Sequence, residues 1–254
     1  MEEVEAGALV IVPARLASTR LPEKVLLRET GRYLFEHTVL NVRRCRRVAR
    51  VVLATDSEEV LRAAEEVGIE AVMTSPDHPS GTDRIREALD LLVAAEGEQW
   101  PVILNVQADE PELDPAHLDQ LAIAFSDSDV DLATLCTRAT PEEEHDPSSV
   151  KLVRDSLGNA LYFTRALIPN RVHAREATEN PPTWRHLGVY AFRPEALRTF
   201  CDLPVGELER CESLEQLRWL EAGRRIRVVS VSGAPPGIDT PEDYAEFVER
   251  NGKS

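Results

Sequence analysis

A short apolar run followed at once by a polar loop constrains the fold more than any other part of this chain. Leu9 to Val12 are four consecutive apolar residues, a pattern typical of a strand that is buried on both faces, as in parallel sheets. Pro13 ends the run because it cannot donate a backbone hydrogen bond to a neighbouring strand. The pattern predicts a first buried strand whose loop lies at the carboxyl end, where open α/β sheets bind ligands.

This first loop is rich in cations and hydroxyl groups and has a single acidic residue, Glu23. Guanidinium and ammonium groups bind phosphate oxygens through charge-assisted hydrogen bonds. We interpret the loop as a triphosphate-binding site, with a solvated basic loop as the alternative. The loop has neither a GxGxxG motif nor a P-loop motif, which argues against a dinucleotide-binding dehydrogenase and a P-loop enzyme. The residues that we assign to the triphosphate are Arg15, Ser18, Thr19, Arg20 and Lys24.

Length and charge restrict the class of protein further. The chain has 254 residues and a formal net charge of −16, so it is long enough for one large α/β domain, and its charge argues against a nucleic-acid-binding surface. No apolar run approaches the roughly 20 residues of a membrane helix. The four cysteines lack CxxC spacing, and the N-terminus has no apolar segment typical of a signal peptide. These features predict a cytoplasmic protein with reduced thiols and no membrane or nucleic-acid partner.

Strands and helices alternate in the first half of the chain, which predicts a doubly wound, mostly parallel sheet of the α/β class. The predicted strands after the first are 50–54, 69–73, 102–106 and 131–136, and the predicted helices are 33–47, 57–67, 82–95 and 113–125.

The pattern changes near residue 137. We predict one domain over residues 1–254, in which about 140–210 form a smaller α+β lobe. Residues 151–154 and 160–163 read as a hairpin, residues 171–182 as a mobile loop, and Pro241 as the first residue of a last helix. The other predicted elements are strands at 186–192 and 225–231 and helices at 193–201 and 213–222.

Two aspartates follow predicted turns at strand ends, Asp109 and Asp239. Mg²⁺ prefers oxygen ligands, commonly one or two carboxylates together with substrate phosphates. Two aspartates from distant parts of the chain could therefore hold this ion if they meet near the triphosphate loop. The alternative is that each aspartate only caps a turn or a helix.

Several segments, taken together and in order, resemble the 3-deoxy-manno-octulosonate (Kdo) cytidylyltransferases over about residues 8–250. Two of these segments, ALYFTRALIP and RHLGVY, look particular to the Kdo enzymes and not to nucleotidyltransferases in general. The matching segments are PARLASTRLPEK, VVLATD, DHPSGTDR, NVQADEP, KLVRDSLGNALYFTRALIP, RHLGVYAFR, SLEQLRWLEAG and GIDTPEDY.

The resemblance implies that CTP and Kdo react, with Mg²⁺, to give CMP-Kdo and pyrophosphate for lipopolysaccharide synthesis. It also implies a homodimer built through the second lobe. Lys24, Arg15 and Asp109 match catalytic residues, and Asp109 and Asp239 match the metal ligands. The triphosphate loop matches the loop that holds the triphosphate in the family. The positions that match the residues around the cytidine are Pro13, Ala14, Thr55, Asp56, Ser80 and Gly81. The positions that match the sugar-acid site are Arg84, Gln107, His186, Tyr190, Glu215 and Gln216, of which Arg84 could pair with the sugar carboxylate or act through its neighbours.

Two positions depart from the family pattern, which has glycine where this chain has Glu23 and Ala108. A carboxylate at 23 is unfavourable beside a triphosphate unless it points away or binds metal, and alanine at 108 costs about 1 kcal/mol if the backbone there needs a positive φ. The alternatives to Kdo transfer are a cytidylyltransferase for another sugar acid, such as 8-amino-Kdo or a sialic acid, and a catalytically inactive nucleotide-binding relative.

Overall fold

The computed structural model of the protein describes residues 7–170, 172, 182–235 and 237–252. They form two compact units, one that runs up to residue 122 and resumes at 235, and a second that spans 123–234. The predicted smaller lobe, about 140–210, falls within the second unit, and the single-domain assignment stays a prediction. Most of the loop predicted at 171–182 lies outside the described residues.

The first unit is built on four parallel strands in the order β3-β2-β1-β4. Every residue of β1 is buried, as the unbroken apolar run predicts for a central strand covered on both faces. The doubly wound, mostly parallel arrangement is confirmed. The strands are β1 (Ala8–Pro13), β2 (Val48–Thr55), β3 (Ala71–Met73) and β4 (Ile103–Asn105).

The helices of this unit begin where the sequence places capping side chains. The Ser57 hydroxyl accepts hydrogen bonds from two backbone N–H groups at the start of α2, and Ser80 caps α3 in the same way, which satisfies donors that have no partner inside the helix. The helices are α1 (Leu34–Val42), α2 (Glu58–Glu66), α3 (Gly81–Glu96) and α4 (Pro115–Ile123), with a short 3-10 turn at Lys24–Leu26.

The second unit combines antiparallel and parallel pairing. β5 pairs antiparallel with β8 and parallel with β9, and β6 pairs antiparallel with both β7 and β8, so the predicted hairpin is confirmed. The strands are β5 (Leu132–Arg138), β6 (Lys151–Arg154), β7 (Ala160–Thr164), β8 (Trp184–Phe192) and β9 (Arg227–Ser230). The helices are α5 (Pro141–His145), α6 (Pro194–Asp202), α7 (Glu207–Glu212) and α8 (Leu217–Glu221).

The chain returns to the first unit for α9 (Pro241–Asn251). Pro241 is its first residue, as predicted, and Thr240 is its N-cap. The helix packs its buried Tyr244 and Phe247 against Leu34 of α1 and Leu21 of the first loop. This apolar contact anchors α9 beside the triphosphate loop.

Two helices differ from their predicted lengths. α1 ends at Val42 and not at Arg47, and Asp119 accepts hydrogen bonds from the backbone N–H groups of Arg46 and Arg47 beyond that end. The helix predicted at 213–222 is only α8, because Ser213 has a left-handed backbone with φ 55°, which interrupts a right-handed helix. Sequence analysis missed α7, which lies before this break.

Among the helices that the described residues form, none is both long enough and apolar enough to cross a lipid bilayer. All four cysteines are free thiols. Burial raises the pKa of Cys45 and of Cys136 to about 12, so these two thiols are held in the unreactive protonated form.

Candidate active site

The two candidate metal-binding aspartates are joined by their backbones. The backbone N–H of Ile238 donates to the carbonyl oxygen of Asp109 over 2.9 Å. Gly237 approaches so closely that a Cβ atom there would lie 3.1 Å from a carboxylate oxygen of Glu110. Two segments separated by more than 100 residues therefore meet at this hydrogen bond, with Gly237 packed beside the Glu110 carboxylate.

The start of α9 fixes the backbone of Asp239. The Asp243 carboxylate accepts from the N–H groups of Asp239 and Thr240 over 3.0 and 2.8 Å, while the Thr240 hydroxyl accepts from Asp243 N–H. Burial alone would raise the pKa of Asp243, but these hydrogen bonds outweigh it and lower the pKa. An ionised Asp243 thus stabilises this turn.

The Lys24 ammonium lies between the two aspartates. Its Nζ contacts Oδ2 of Asp109, lies 3.2 Å from Oδ1 of Asp239 and donates to the carbonyl oxygen of Ile238 over 3.1 Å. Arg20 also pairs with Oδ1 of Asp239, over 2.9 Å. The lysine side chain is only 14% exposed, so its ion pairs are less screened by solvent than those of a surface lysine.

A cavity of about 170 Å³ surrounds this cluster. All five residues that the sequence assigns to the triphosphate line it, together with both aspartates, Pro13 and Gln107. Three of the five are cations, against two carboxylates in the same cavity. The arrangement is suited to an anionic ligand that binds together with a divalent cation. The anion can pair with the three protein cations, and the divalent cation can pair with the two carboxylates.

The donor chemistry fits Mg²⁺ bound jointly with phosphates. No group of three or more His, Cys, Asp or Glu side chains suited to a metal ion occurs among the described residues, so a cage made by the protein alone is not found there. Mg²⁺ is commonly bound by one or two carboxylates plus substrate phosphates, and Asp109 and Asp239 supply that number.

The residues predicted to surround the cytidine lie at neighbouring strand ends. Pro13 and Ala14 end β1, Thr55 and Asp56 end β2, and Ser80 and Gly81 begin α3. A Cβ atom on Gly81 would lie 3.3 Å from Pro13 Cγ and 3.5 Å from the Gln107 amide, so glycine lets α3 start close to β1.

Arg84 and Gln107, predicted for the sugar-acid site, also belong to the first unit. Gln107 Nε2 donates to Oδ1 of Asn105 over 3.1 Å. The buried Arg84 donates to Asp56, at 2.6 Å between Nη2 and Oδ2, so the structure joins Arg84 to a residue predicted for the cytidine.

His186 and Tyr190 lie in the second unit, on β8. The register of β8 with β5 shifts between Thr134, which pairs with Tyr190, and Leu135, which pairs with Leu187. β8 therefore has two extra residues in a bulge. In a regular strand, residues four apart are about 13 Å from each other, but the bulge brings the His186 and Tyr190 rings to 5.3 Å between centroids.

Thr134, which sequence analysis did not single out, orients His186. Its hydroxyl donates to the carbonyl oxygen of Val189 over 2.7 Å and lies 2.9 Å from Nε2 of His186. Because the hydroxyl has one proton to give, His186 Nε2 is assigned as the donor in their bond. Burial lowers the pKa of His186 to about 3, so the imidazole stays neutral. Burial, and then the Glu215 charge, raise the pKa of Tyr190.

This buried histidine should make stability depend on pH. Unfolded histidine binds a proton below about pH 6.5, whereas folded His186 resists protonation down to about pH 3. The unfolded state therefore binds more protons in that range, and the free energy of unfolding falls as the pH decreases, by about 1.4 kcal/mol per unit from this residue. Urea denaturation between pH 7 and about 4.5, above the carboxylate titrations, should show a shallower slope for His186→Gln. The exposed His145→Gln is the control, and parallel profiles of wild type and His186→Gln would contradict the prediction.

Glu215 and Gln216 do not lie within a helix, which corrects the sequence-based prediction. Gln216 is the N-cap residue of α8, and Glu215 belongs to the turn before it, which starts at the left-handed Ser213. The Gln216 side chain is buried, with 2% of the residue exposed, and its Nε2 has no hydrogen-bond partner among the residues that the structure describes. A buried amide donor without a partner costs free energy, so a ligand acceptor there would be stabilising.

The two departures from the family pattern differ in their consequence. Glu23 has a left-handed backbone with φ 53°, which suits the family's glycine, whereas Ala108 is not among the residues with positive φ, so alanine incurs no such cost there. The Glu23 side chain is exposed and lines surface depressions beside Asp56 and beside Arg62.

Restoring glycine at position 23 should stabilise the protein. A left-handed conformation costs a residue with a side chain about 1–2 kcal/mol relative to glycine, and the greater freedom of glycine in the unfolded chain offsets part of that. We expect Glu23→Gly to raise the free energy of unfolding by about 1 kcal/mol in urea denaturation. Glu23→Ala is the control, since it removes the charge but keeps the Cβ. Equal stabilisation by both variants would attribute the effect to charge and contradict the conformational explanation.

Comparisons with known proteins agree with one another. The profile of a family described as "Cytidylyltransferase" matches residues 9–226. The chain is 45% identical to a 3-deoxy-manno-octulosonate cytidylyltransferase of Nitratidesulfovibrio vulgaris (strain DP4), covering 92% of this chain and 91% of the relative. It is also 45% identical to a protein of the same name from Chlorobaculum tepidum, covering 97% and 99% of the two chains.

Solved structures extend the comparison. A CMP:2-keto-3-deoxy-manno-octonic acid synthetase complexed with CTP superposes with a TM-score of 0.88 and 34% identity, covering 96% of this chain and 98% of the other. A 4-diphosphocytidyl-2C-methyl-D-erythritol synthase superposes with a TM-score of 0.64 at 12% identity, covering 96% and 98%. The second likeness concerns the fold alone.

Proposed function

The chain belongs to the 3-deoxy-manno-octulosonate cytidylyltransferase family, and from this premise we propose that it joins CTP and Kdo to give CMP-Kdo and pyrophosphate. The observation that carries the proposal is the Lys24 ammonium held between Asp109 and Asp239, inside a cavity lined by every residue assigned to the triphosphate. A polyanion and a divalent cation are the ligands that this set of charges requires.

The reaction is a nucleotidyl transfer. The anomeric hydroxyl of Kdo attacks the α-phosphorus of CTP, the bond from that phosphorus to the oxygen of the β-phosphate breaks, and the hydroxyl proton is released. Phosphoryl transfer asks little covalent chemistry of the protein, so positioning and charge stabilisation dominate. Lys24 and Arg15 offset the negative charge that develops on the α-phosphate and on the leaving pyrophosphate.

The cations of the site exchange partners when the nucleotide binds. In the free protein, Lys24 and Arg20 neutralise the two aspartates. CTP attracts both cations, which leaves Asp109 and Asp239 to hold Mg²⁺. When bound, Mg²⁺ neutralises charge on the phosphate oxygens as a Lewis acid.

The residues of the second unit are proposed to select the sugar acid. The neutral His186 and the Tyr190 hydroxyl can form hydrogen bonds with sugar hydroxyl groups, and the buried Nε2 of Gln216 has no acceptor in the described part of the chain. These groups suit a polyhydroxylated ligand. Glu215 completes the set implied by the family.

A homodimer formed through the second unit is proposed from the family resemblance. Leu157 and Leu161 of the β6–β7 hairpin are exposed apolar side chains, 73% and 60% exposed, consistent with a partner on this face. Sedimentation equilibrium of the wild type and of Leu161→Glu would test it, with a monomeric wild type as the contradicting result.

The proposed function is tested by pyrophosphate release from CTP and Mg²⁺ with Kdo, 8-amino-Kdo or N-acetylneuraminate as the acceptor. We expect release with Kdo. Release with only another sugar acid would keep the mechanism and reassign the acceptor. Binding of CTP without release with any acceptor would favour the catalytically inactive relative.

A further inference from the structure

The Arg84 guanidinium is buried at the start of α3 and is occupied by oxygen atoms of two neighbouring segments. The residue is 3% exposed. Its Nη2 donates to Oδ2 of Asp56 over 2.6 Å, and its Nη1 donates to the Thr74 hydroxyl over 2.6 Å and to the Ser75 carbonyl oxygen over 3.4 Å. Each terminal nitrogen therefore has at least one acceptor within the protein.

These bonds tie the end of β2 to α3. The backbone N–H and the hydroxyl of Thr74 both donate to the carbonyl oxygen of Thr55, over 2.8 and 3.0 Å. Arg84 therefore holds Asp56 directly and Thr55 through Thr74. Thr55 and Asp56 are the two residues at the end of β2 that are assigned to the cytidine, and Asp56 lines a surface depression with Ser18 of the triphosphate loop.

The charge balance argues against a direct bond between Arg84 and the sugar carboxylate. Arg84 and Asp56 form a nearly buried pair, with side chains 4% and 17% exposed, so the positive charge is already neutralised. A sugar carboxylate that took the place of Asp56 on Nη2 would leave that anion partly buried without its partner, which is costly. An ionised carboxylate has about four acceptor sites, so Asp56 can accept donors of the cytidine while it stays bonded to Arg84.

We propose that Arg84 is a positioning residue for nucleotide recognition: it holds Asp56 in place for the hydroxyl or amino groups of the cytidine and does not bind the sugar acid. This inference rests on the proposed function, because it assigns the end of β2 to the nucleotide. It reassigns Arg84 from the acceptor to the donor substrate. We therefore expect a substitution of Arg84 to weaken the binding of CTP and to leave KM for Kdo nearly unchanged.

The experiment compares wild type with Arg84→Met, Arg84→Lys, Asp56→Asn and the double variant Arg84→Met with Asp56→Asn. Calorimetry gives the Kd for CTP, and pyrophosphate release gives KM for each substrate. We expect Arg84→Met and Asp56→Asn each to weaken CTP binding about tenfold or more, the order of a lost charge-assisted hydrogen bond, with KM for Kdo changed less than about twofold. The double variant should bind CTP no more weakly than whichever single variant has the lower CTP affinity, since both substitutions act through one bond. Arg84→Lys should recover part of the CTP affinity.

A rise in KM for Kdo with unchanged CTP affinity would overturn the inference, as would an equal rise in both. Multiplied effects in the double variant would also overturn it. Loss of folded protein lowers the number of CTP sites in calorimetry without changing Kd, so it is distinguishable from loss of positioning. If Arg84→Met does not fold, Thr74→Val removes the Thr74 partner of Arg84 and takes its place, with the same expected division. Because CTP affinity is measured without an acceptor, failure of the Kdo reaction in the wild type would refute the proposed function and leave the comparison of CTP affinities intact.

Discussion

Replacing Asp109 with asparagine is expected to lower kcat for pyrophosphate release at least about 100-fold. The change removes one of two carboxylates assigned to Mg²⁺ and presents an amide in place of the anion that contacts the Lys24 ammonium. Lys24 keeps Asp239 and the Ile238 carbonyl oxygen as partners, so we expect the fold to persist. Thermal denaturation would verify that, and Mn²⁺ titration in the presence of CTP would show weakened metal binding.

Asp129→Asn is the matched control, because Asp129 is an exposed residue in a turn of the second unit. It should leave both turnover and metal binding unchanged. Near-normal turnover in Asp109→Asn, with CTP still bound, would refute the metal assignment. Equal losses in the two variants would point to a general effect of charge.

Replacing Lys24 with methionine should produce two opposite effects. We expect kcat to fall about 10²–10³-fold, the loss typical when one group that stabilises developing charge is removed. Mn²⁺ binding to the protein without nucleotide should become tighter, because the ammonium no longer competes for Asp109 and Asp239. Without the shared ammonium, Arg20 remains on Asp239, but the two carboxylates repel each other more strongly and a divalent ion relieves that repulsion.

Arg28→Met is the control for removing a nearby cation. Arg28 contacts Tyr33 and Glu66 outside the cavity and should leave turnover and Mn²⁺ affinity unchanged. Electron paramagnetic resonance counts free Mn²⁺ without any turnover, so the two effects are measured independently. Weaker Mn²⁺ binding in Lys24→Met would mean that the ammonium does not compete with the metal, which contradicts the exchange of partners.

The sequence was most informative where the physical pattern is local. The apolar run at Leu9–Val12 predicts a central strand, and Pro241 predicts the start of α9. For Glu23 the sequence raised only the question of a carboxylate beside a triphosphate, and the left-handed backbone at that position emerged from the structure. For Ala108 the family's glycine gave a conditional cost that the backbone does not incur.

Tertiary partners could not be predicted in this way. Asp109 and Asp239 share one ammonium because the Ile238 N–H bonds to the Asp109 carbonyl oxygen and holds the two segments together. No periodicity in the sequence reports such a contact. Three other features also depend on the folded structure, because the sequence allows many partners and dihedral angles at each. They are the pairing of Arg84 with Asp56, the bond of Thr134 to His186 and the break at Ser213. The helix prediction at 213–222 failed because one left-handed residue outweighs the propensity of its neighbours.

The bulge in β8 also bears on how such a site can change. A strand that gains one residue turns every later side chain to the opposite face, whereas a gain of two residues preserves the alternation. In its bulge, β8 has two more residues than the paired segment of β5. Phe192 and the other residues beyond the bulge therefore keep the faces that a regular strand would give them. Insertions or deletions in steps of two can therefore change the contact between His186 and Tyr190 while the rest of the strand keeps its faces. The acceptor site that we propose for these residues could then vary without a loss of core packing.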